Sequence, residues 1–277
     1  MTEDGAPRVE RDGDTICITM TRGPRRNALS REHLQQLLAA FTEAAASDAT
    51  GIVLAGDGPV FSSGHDFRDV AGRPVTEVRS LLALCTELMG TLQSVPQVVI
   101  ARVHALATAA GCQLVASCDL AVAAESASFA LPGGKGGWFC HTPAVPVARN
   151  VGRKRLMEMA LTGDNVPAAT AAEWGLINYA VPDDELDART AADWGLVNRA
   201  VPDAELDTAV DDLLSRATRG SRTSKALGKQ TLYAQLDRPE ADAYAIALEV
   251  MATASQTAAA KEAMAAFLTK RPPVWPT

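Results

Sequence analysis

Two short segments carry the residue types from which an oxyanion-binding site can be built. Phe61-Ser-Ser-Gly-His-Asp66 follows an apolar run, Ile52-Val-Leu-Ala55, and its glycine permits a tight turn that leaves the His65 amide unpaired. Ala107-Thr-Ala-Ala-Gly-Cys-Gln113 runs small residues straight into an apolar helical pattern at Leu114, Val115 and Ala116. The first amides of such a helix lack partners and its dipole is positive there, so a negative atom in front of it is stabilised. Either segment alone reads equally as an ordinary strand-to-helix turn. Aimed at one point, the two would hold an oxygen that gains charge during a reaction.

Other side chains could take part. His141, in the loop Trp138-Phe-Cys-His-Thr-Pro143, is a candidate acid or base, or else a solvent-facing loop histidine. Asp66 reads as a carboxylate that bonds nearby turn amides rather than as a base. Cys112 reads as a small buried thiol at a helix start, since no histidine spacing supports a nucleophile. Trp138 and Phe139 suit either a pocket wall or plain core.

The elements that must position these residues alternate. Ile16-Cys-Ile-Thr-Met20, Ile52–Ala55, Val98–Val103 and Leu120–Ala123 have strand character. Ser30 caps a helix with Leu34, Leu37, Leu38 and Phe41 on one face, and a second helix spans Val75 to about Gln93, ended by Pro96. That order is α/β, and periodicity alone leaves the topology open. From Asp207 onward the pattern is helical, over Asp207–Arg219, Ser221–Gln235 and Pro239–Lys270, with Ile246, Val250, Met264 and Phe267 as apolar residues of the last. Thr170–Asp187 recurs twenty residues later as Thr190–Asp207, a duplication too short for a solenoid.

Composition narrows the class. With 277 residues, 47% of them hydrophobic, the chain can bury a sizeable core. A net charge of −7 without a Lys/Arg block argues against nucleic acid as the main partner. Cys17, Cys85, Cys112, Cys118 and Cys140 are odd in number and lack paired metal-site spacing, so they read as reduced thiols and point to the cytoplasm. No metal site is expected. The start of the sequence has no basic-then-apolar signal, and the longest apolar run, around Val98–Ala110, is interrupted by Arg102 and His104, so no membrane span is expected.

Taken together the segments resemble the enoyl-CoA hydratase/isomerase, or crotonase, superfamily. The resemblance starts at Arg25-Arg-Asn-Ala-Leu-Ser30 and passes through both segments above. It continues in Ala127-Ser-Phe-Ala-Leu-Pro132, Leu161-Thr-Gly163 and Trp174-Gly-Leu-Ile-Asn178, and closes at Ala265-Ala-Phe-Leu-Thr-Lys-Arg-Pro272. Within the family, the enoyl-CoA hydratase domain-containing branch shares the Phe-Ser-Ser-Gly-His-Asp and Ala-Ala-Gly-Cys-Gln runs. What the resemblance implies is a ββα spiral over 1–206, containing the duplication, and a helical trimerisation region over 207–277. It implies an acyl-CoA partner, with coenzyme A as part of the substrate and no separate cofactor, and a homotrimer or hexamer. By position, the oxyanion amides fall on His65 and Ala110. Acyl-CoA contacts fall on Arg26, Ala28, Ser63, Gly64, Asp66, Phe67, Pro132, Trp138, Phe267 and Lys270, the last two serving a neighbouring subunit.

One departure from the family pattern bears on activity. Family hydratases hold two glutamates over the acyl chain, and those positions here are Gln113 and Gly133. Glutamine cannot exchange a proton near neutral pH, and glycine has no side chain. Each lost acid–base group costs roughly 10²–10⁴-fold, so hydration should be weak while thioester binding and enolate stabilisation survive. The alternatives are a silent acyl-CoA-binding or regulatory protein, or another enolate reaction such as decarboxylation, thioester hydrolysis or isomerisation, using His141 or Asp66. On this reading, restoring both glutamates should raise hydration if the pocket is otherwise intact.

Overall fold

The computed structural model describes residues 5–136, 138–181, 206–218, 220–235, 237–238, 242, 250 and 253–275. A hairpin, β1 (Arg8–Asp12) and β2 (Thr15–Met20), opens the chain. From β2 the large sheet continues in parallel through β3 (Gly51–Gly56), β4 (Val98–Val103), β6 (Leu120–Ala124) and β9 (Tyr179–Val181). Parallel strands covered on both faces read as unbroken apolar runs, and all six residues of β3 are buried.

A second, smaller ribbon lies beside the sheet. It contains β5 (Ala107–Thr108), β7 (Ser128–Ala130) and β8 (Val166–Pro167). Single bridges extend it, Ser62 pairing with Ala107 and Leu29 with His65. Each turn of chain thus gives one strand to the sheet, one short strand to the ribbon, and then a helix. The helices are α1 (Arg31–Ala45), α2 (Val75–Ser94), α3 (Ala110–Ser117), α4 (His141–Val151), α5 (Arg153–Thr162) and α6 (Ala168–Glu173). This is the ββα spiral that periodicity had left open.

Strand alternation sorts the core into two layers. Ile52, Leu54, Val99, Ala101, Val103, Ala121 and Ala123 enter the main core with Leu34, Leu37 and Phe41 of α1 and Leu81, Leu88 and Leu92 of α2. Val53, Ile100, Val122 and Ala124 point the other way and are covered by Val210 and Leu214 of α7 (Leu206–Thr218). Gly51 makes room for that helix, since a Cβ there would lie 2.5 Å from Leu214. Then α8 (Arg222–Gln235) packs on α2, and α9 (Ala258–Leu268) packs on α8.

Element boundaries move by a residue or two from the sequence reading, except over Pro239–Lys270. Helix there breaks at Ser255–Thr257, where the Thr257 hydroxyl accepts the Ala260 amide at 3.2 Å and starts α9. Ser and Thr side chains compete for backbone amides, which the alanine-rich pattern concealed. In the first copy of the repeat, α6 and β9 are described and Arg155 covers Trp174 at 5.7 Å. Residues 182–205, the end of the first copy and most of the second, lie outside the described residues, as do 243–249 with Ile246.

Candidate active site

The ribbon decides where the two amides face. Leu29 donates to the Gly64 carbonyl at 2.8 Å and accepts from the Asp66 amide at 3.4 Å. In a parallel bridge the residue between those two contacts turns its own N–H to the opposite edge, so the His65 amide faces away from Leu29. On that opposite edge, Thr108 donates to the Ser62 carbonyl at 3.0 Å, and the Phe61 and Ser62 amides donate to the Leu106 carbonyl at 3.0 and 3.3 Å.

Two backbone features then bring the segments into contact. Gly64 has φ +81, and a Cβ on it would lie 2.9 Å from the Ala109 Cβ and 3.0 Å from the Ala110 nitrogen. Only glycine meets both demands. Ala109 is held at φ 51, ψ −119, a conformation alanine rarely adopts, while its amide is tied to the Ala130 carbonyl at 2.9 Å. Strain of that kind costs about 1–3 kcal/mol and persists where surrounding structure imposes it. It turns the chain abruptly into α3, whose first residue is Ala110. Among the described residues neither the His65 nor the Ala110 amide has a backbone acceptor.

Around this pair lie several candidate side chains. Gln113, one turn into α3 on the face of Ala110, is buried, and its Oε1 has no partner among the described residues. The His65 ring packs against Trp138, centroids 6.1 Å apart, and Phe67 meets the same indole edge-on at 6.1 Å. Both His65 ring nitrogens are buried without hydrogen-bond partners among the described residues. Burial pushes the His65 pKa down, with the Leu29 backbone and Asp69 acting in the opposite sense.

The loop Pro132–Trp138 closes on itself, Gly136 donating to the Pro132 carbonyl at 2.9 Å and Trp138 to the Gly133 carbonyl at 2.8 Å. This closure carries Trp138 over His65. It also corrects one expectation. A Cβ on Gly133 would lie 2.1 Å from the Trp138 carbonyl and 2.8 Å from both N and Sγ of Cys140, so no glutamate fits without moving the loop. Glycine there is a requirement of the backbone.

The remaining candidates separate. The Asp66 carboxylate caps the turn Phe67–Asp69 by accepting the Arg68 amide at 3.0 Å, and it pairs with the Arg68 guanidinium, which holds its pKa below the usual carboxylate range. Ser63 donates its amide to the Arg26 carbonyl at 3.0 Å, which places the exposed Arg26 and half-buried Ala28 beside the loop. His141 is exposed at the start of α4 with its ring on Phe139 at 4.9 Å. Burial raises the Cys112 thiol far above its usual pKa, which removes it as a nucleophile at neutral pH. Phe267 lies on α9 and Lys270 just past its end. Two residues the sequence reading passed over, Asn27 and Ser62, tie the loop together. A buried asparagine in a left-handed conformation, φ 48, was the missed signal, and sequence does not display φ. No group of three or more His, Cys, Asp or Glu able to hold a metal ion occurs among the described residues.

A ββα spiral of this kind is the crotonase fold. The family model described as Enoyl-CoA hydratase/isomerase matches residues 10–190 and 184–277, so the chain belongs to that family. The two matches overlap within the duplicated stretch. Enoyl-CoA hydratase domain-containing protein 3, mitochondrial, of Rattus norvegicus is 37% identical over 267 residues, covering 93% of this chain and 80% of that protein. The crystal structure of an enoyl-CoA hydratase from Mycobacterium smegmatis superposes with a TM-score of 0.86 at 38% identity, covering 99% of this chain and all (100%) of the other. That of human enoyl-CoA hydratase domain-containing protein 3 gives 0.86 at 34% identity, with 98% and 100% covered. The relatives from rat, zebrafish and human are named mitochondrial, which overturns the cytoplasmic expectation. All five cysteines are free.

Proposed function

We propose that the chain binds acyl-CoA thioesters and holds the thioester carbonyl between the His65 and Ala110 amides. The observation that carries this reading is the contact of Gly64 with Ala109 and Ala110, which sets two unpaired donors side by side. When a proton leaves the α-carbon, charge moves onto that oxygen; one such donor is worth about 10²–10³-fold in rate. Coenzyme A enters as part of the substrate. Gln113 can orient a water or a carbonyl but cannot exchange its proton, and Gly133 contributes only backbone. Hydration is accordingly weak, and the glutamate pair of the family's hydratases is replaced.

A silent acyl-CoA-binding role is the second reading, favoured by the closed backbone around Gly133. Residues 1–206 are proposed as the acyl-CoA-binding spiral and 207–277 as a helical region that joins a homotrimer or hexamer. Exposed Met264, Leu268, Val274 and Trp275 support that assembly. Calorimetry with a short acyl-CoA, free CoA and the free acid tests binding; equal affinity for thioester and acid would remove the proposal. Crotonyl-CoA hydration then separates the two readings, since slow but measurable turnover supports the first and none supports the second.

A further inference from the structure

The His65 amide can hold an oxyanion only if its loop stands still, and a buried network beneath it does that work. Asn27 is fully buried, and its Nδ2 lies 2.8 Å from the Asp57 carbonyl, 3.1 Å from that of Val60 and 3.0 Å from that of Phe61, the three carbonyls that lead into the loop. Ser62, also fully buried, donates its Oγ to the Asn27 carbonyl at 2.9 Å and accepts the Gly64 amide at 3.3 Å. Its own carbonyl accepts Thr108 from the second segment at 3.0 Å. Gly111, one residue past Ala110, packs so tightly on Ser62 that a Cβ there would lie 2.4 Å from the Ser62 carbonyl oxygen.

Ser62 therefore touches both amide-bearing segments, and the network ends on Gly64, the residue before His65. A buried serine whose hydroxyl both donates and accepts has one rotamer to occupy, so it fixes geometry as well as filling space. We infer that Asn27 and Ser62 are positioning residues that set the separation of the His65 and Ala110 amides, and so how much more tightly an enolate is held than the rest of the ligand. Asn27 adopts a left-handed backbone that asparagine tolerates better than most residues, which frees its amide to reach three carbonyls at once. This inference rests on the acyl-CoA reading above.

The test uses full-length Ser62→Ala and Asn27→Gly, the latter keeping the left-handed backbone accessible while deleting the amide. The probes are acetoacetyl-CoA, which ionises to a stable enolate with its own ultraviolet band, and free CoA, which has no acyl carbonyl. Wild type should bind acetoacetyl-CoA more tightly than CoA and develop the enolate band. In each variant acetoacetyl-CoA should weaken by about tenfold or more and the band should diminish, while CoA affinity stays within about twofold, as expected for a misplaced donor. Equal weakening of both ligands, an unchanged ratio, or failure of both variants to fold would overturn the positioning role. Wild type with neither preference nor band would overturn the acyl-CoA reading itself, a distinct outcome.

Discussion

Lys229 on α8 reaches the carboxylate of Asp119 at the start of β6, with Nζ 2.5 Å from Oδ2 and both side chains about nine-tenths buried. The ammonium also donates to the Leu92 and Gln97 carbonyls at 2.9 and 3.1 Å, and Asp119 accepts from the Val99 amide at 2.8 Å and the Tyr233 hydroxyl at 3.2 Å. One ion pair thus fastens a C-terminal helix to the end of α2 and the start of β4. Removing one member strands the other in a poorly solvated site, at a cost of about 3–5 kcal/mol. Lys229→Met should lower the denaturation midpoint accordingly, and Lys229→Met with Asp119→Asn should recover part of the loss. Additive effects in that double-mutant cycle would show that the pair is not coupled.

His33 should add to the acid sensitivity of the fold. It is fully buried in α1, and burial with the nearby Arg22 lowers its pKa to about 4, with Gln36 and Glu32 pulling weakly upward. The unfolded chain binds this proton near 6.5 and the folded chain only near 4, so its contribution to stability is complete above about pH 6.5 and declines as pH falls toward 4. The whole effect amounts to about 3 kcal/mol. Urea melts at intervals across that window should show the decline in wild type and a shallower one in His33→Leu. Parallel slopes in the two proteins would assign the effect to other groups.

The two altered glutamate positions should respond oppositely. Gln113→Glu changes one atom of a buried side chain already lacking a partner for Oε1, and we expect a folded protein with faster crotonyl-CoA hydration. Gly133→Ala already places a Cβ 2.1 Å from the Trp138 carbonyl, and we expect a loss of 1–3 kcal/mol or more from forced overpacking, about the usual range. Stopped-time assays and thermal melts read the two quantities separately. A stable, active Gly133→Glu protein would show that the Pro132–Trp138 loop opens easily.

Deleting Thr170–Arg189 tests the duplication. It leaves Thr190–Asp207 joined to the correct flanks on both sides, because the copies share spacing and nearly share sequence. We expect the shortened chain to fold, to assemble like the parent and to bind the same acyl-CoA, as light scattering and calorimetry would report. Insoluble protein would mean that both copies belong to the core.

The sequence by itself determined the alternation of strands and helices, because apolar spacing is a local property. Val98–Val103 came out to the residue, and Ser30 caps α1 by accepting the His33 amide at 3.2 Å, as its position before an apolar stripe implied. Motif order supplied the spiral and nominated His65 and Ala110. Tertiary structure alone decided which way their amides face, because that depends on the pairing of Leu29 with His65 and Ser62 with Ala107 across long stretches of chain. It likewise decided that Gly133 tolerates no side chain, and that Asn27 and Ser62 brace the loop beneath His65. Each of these is a matter of which atoms fill the same few ångströms, and residues far apart in sequence share that space only after the spiral has closed.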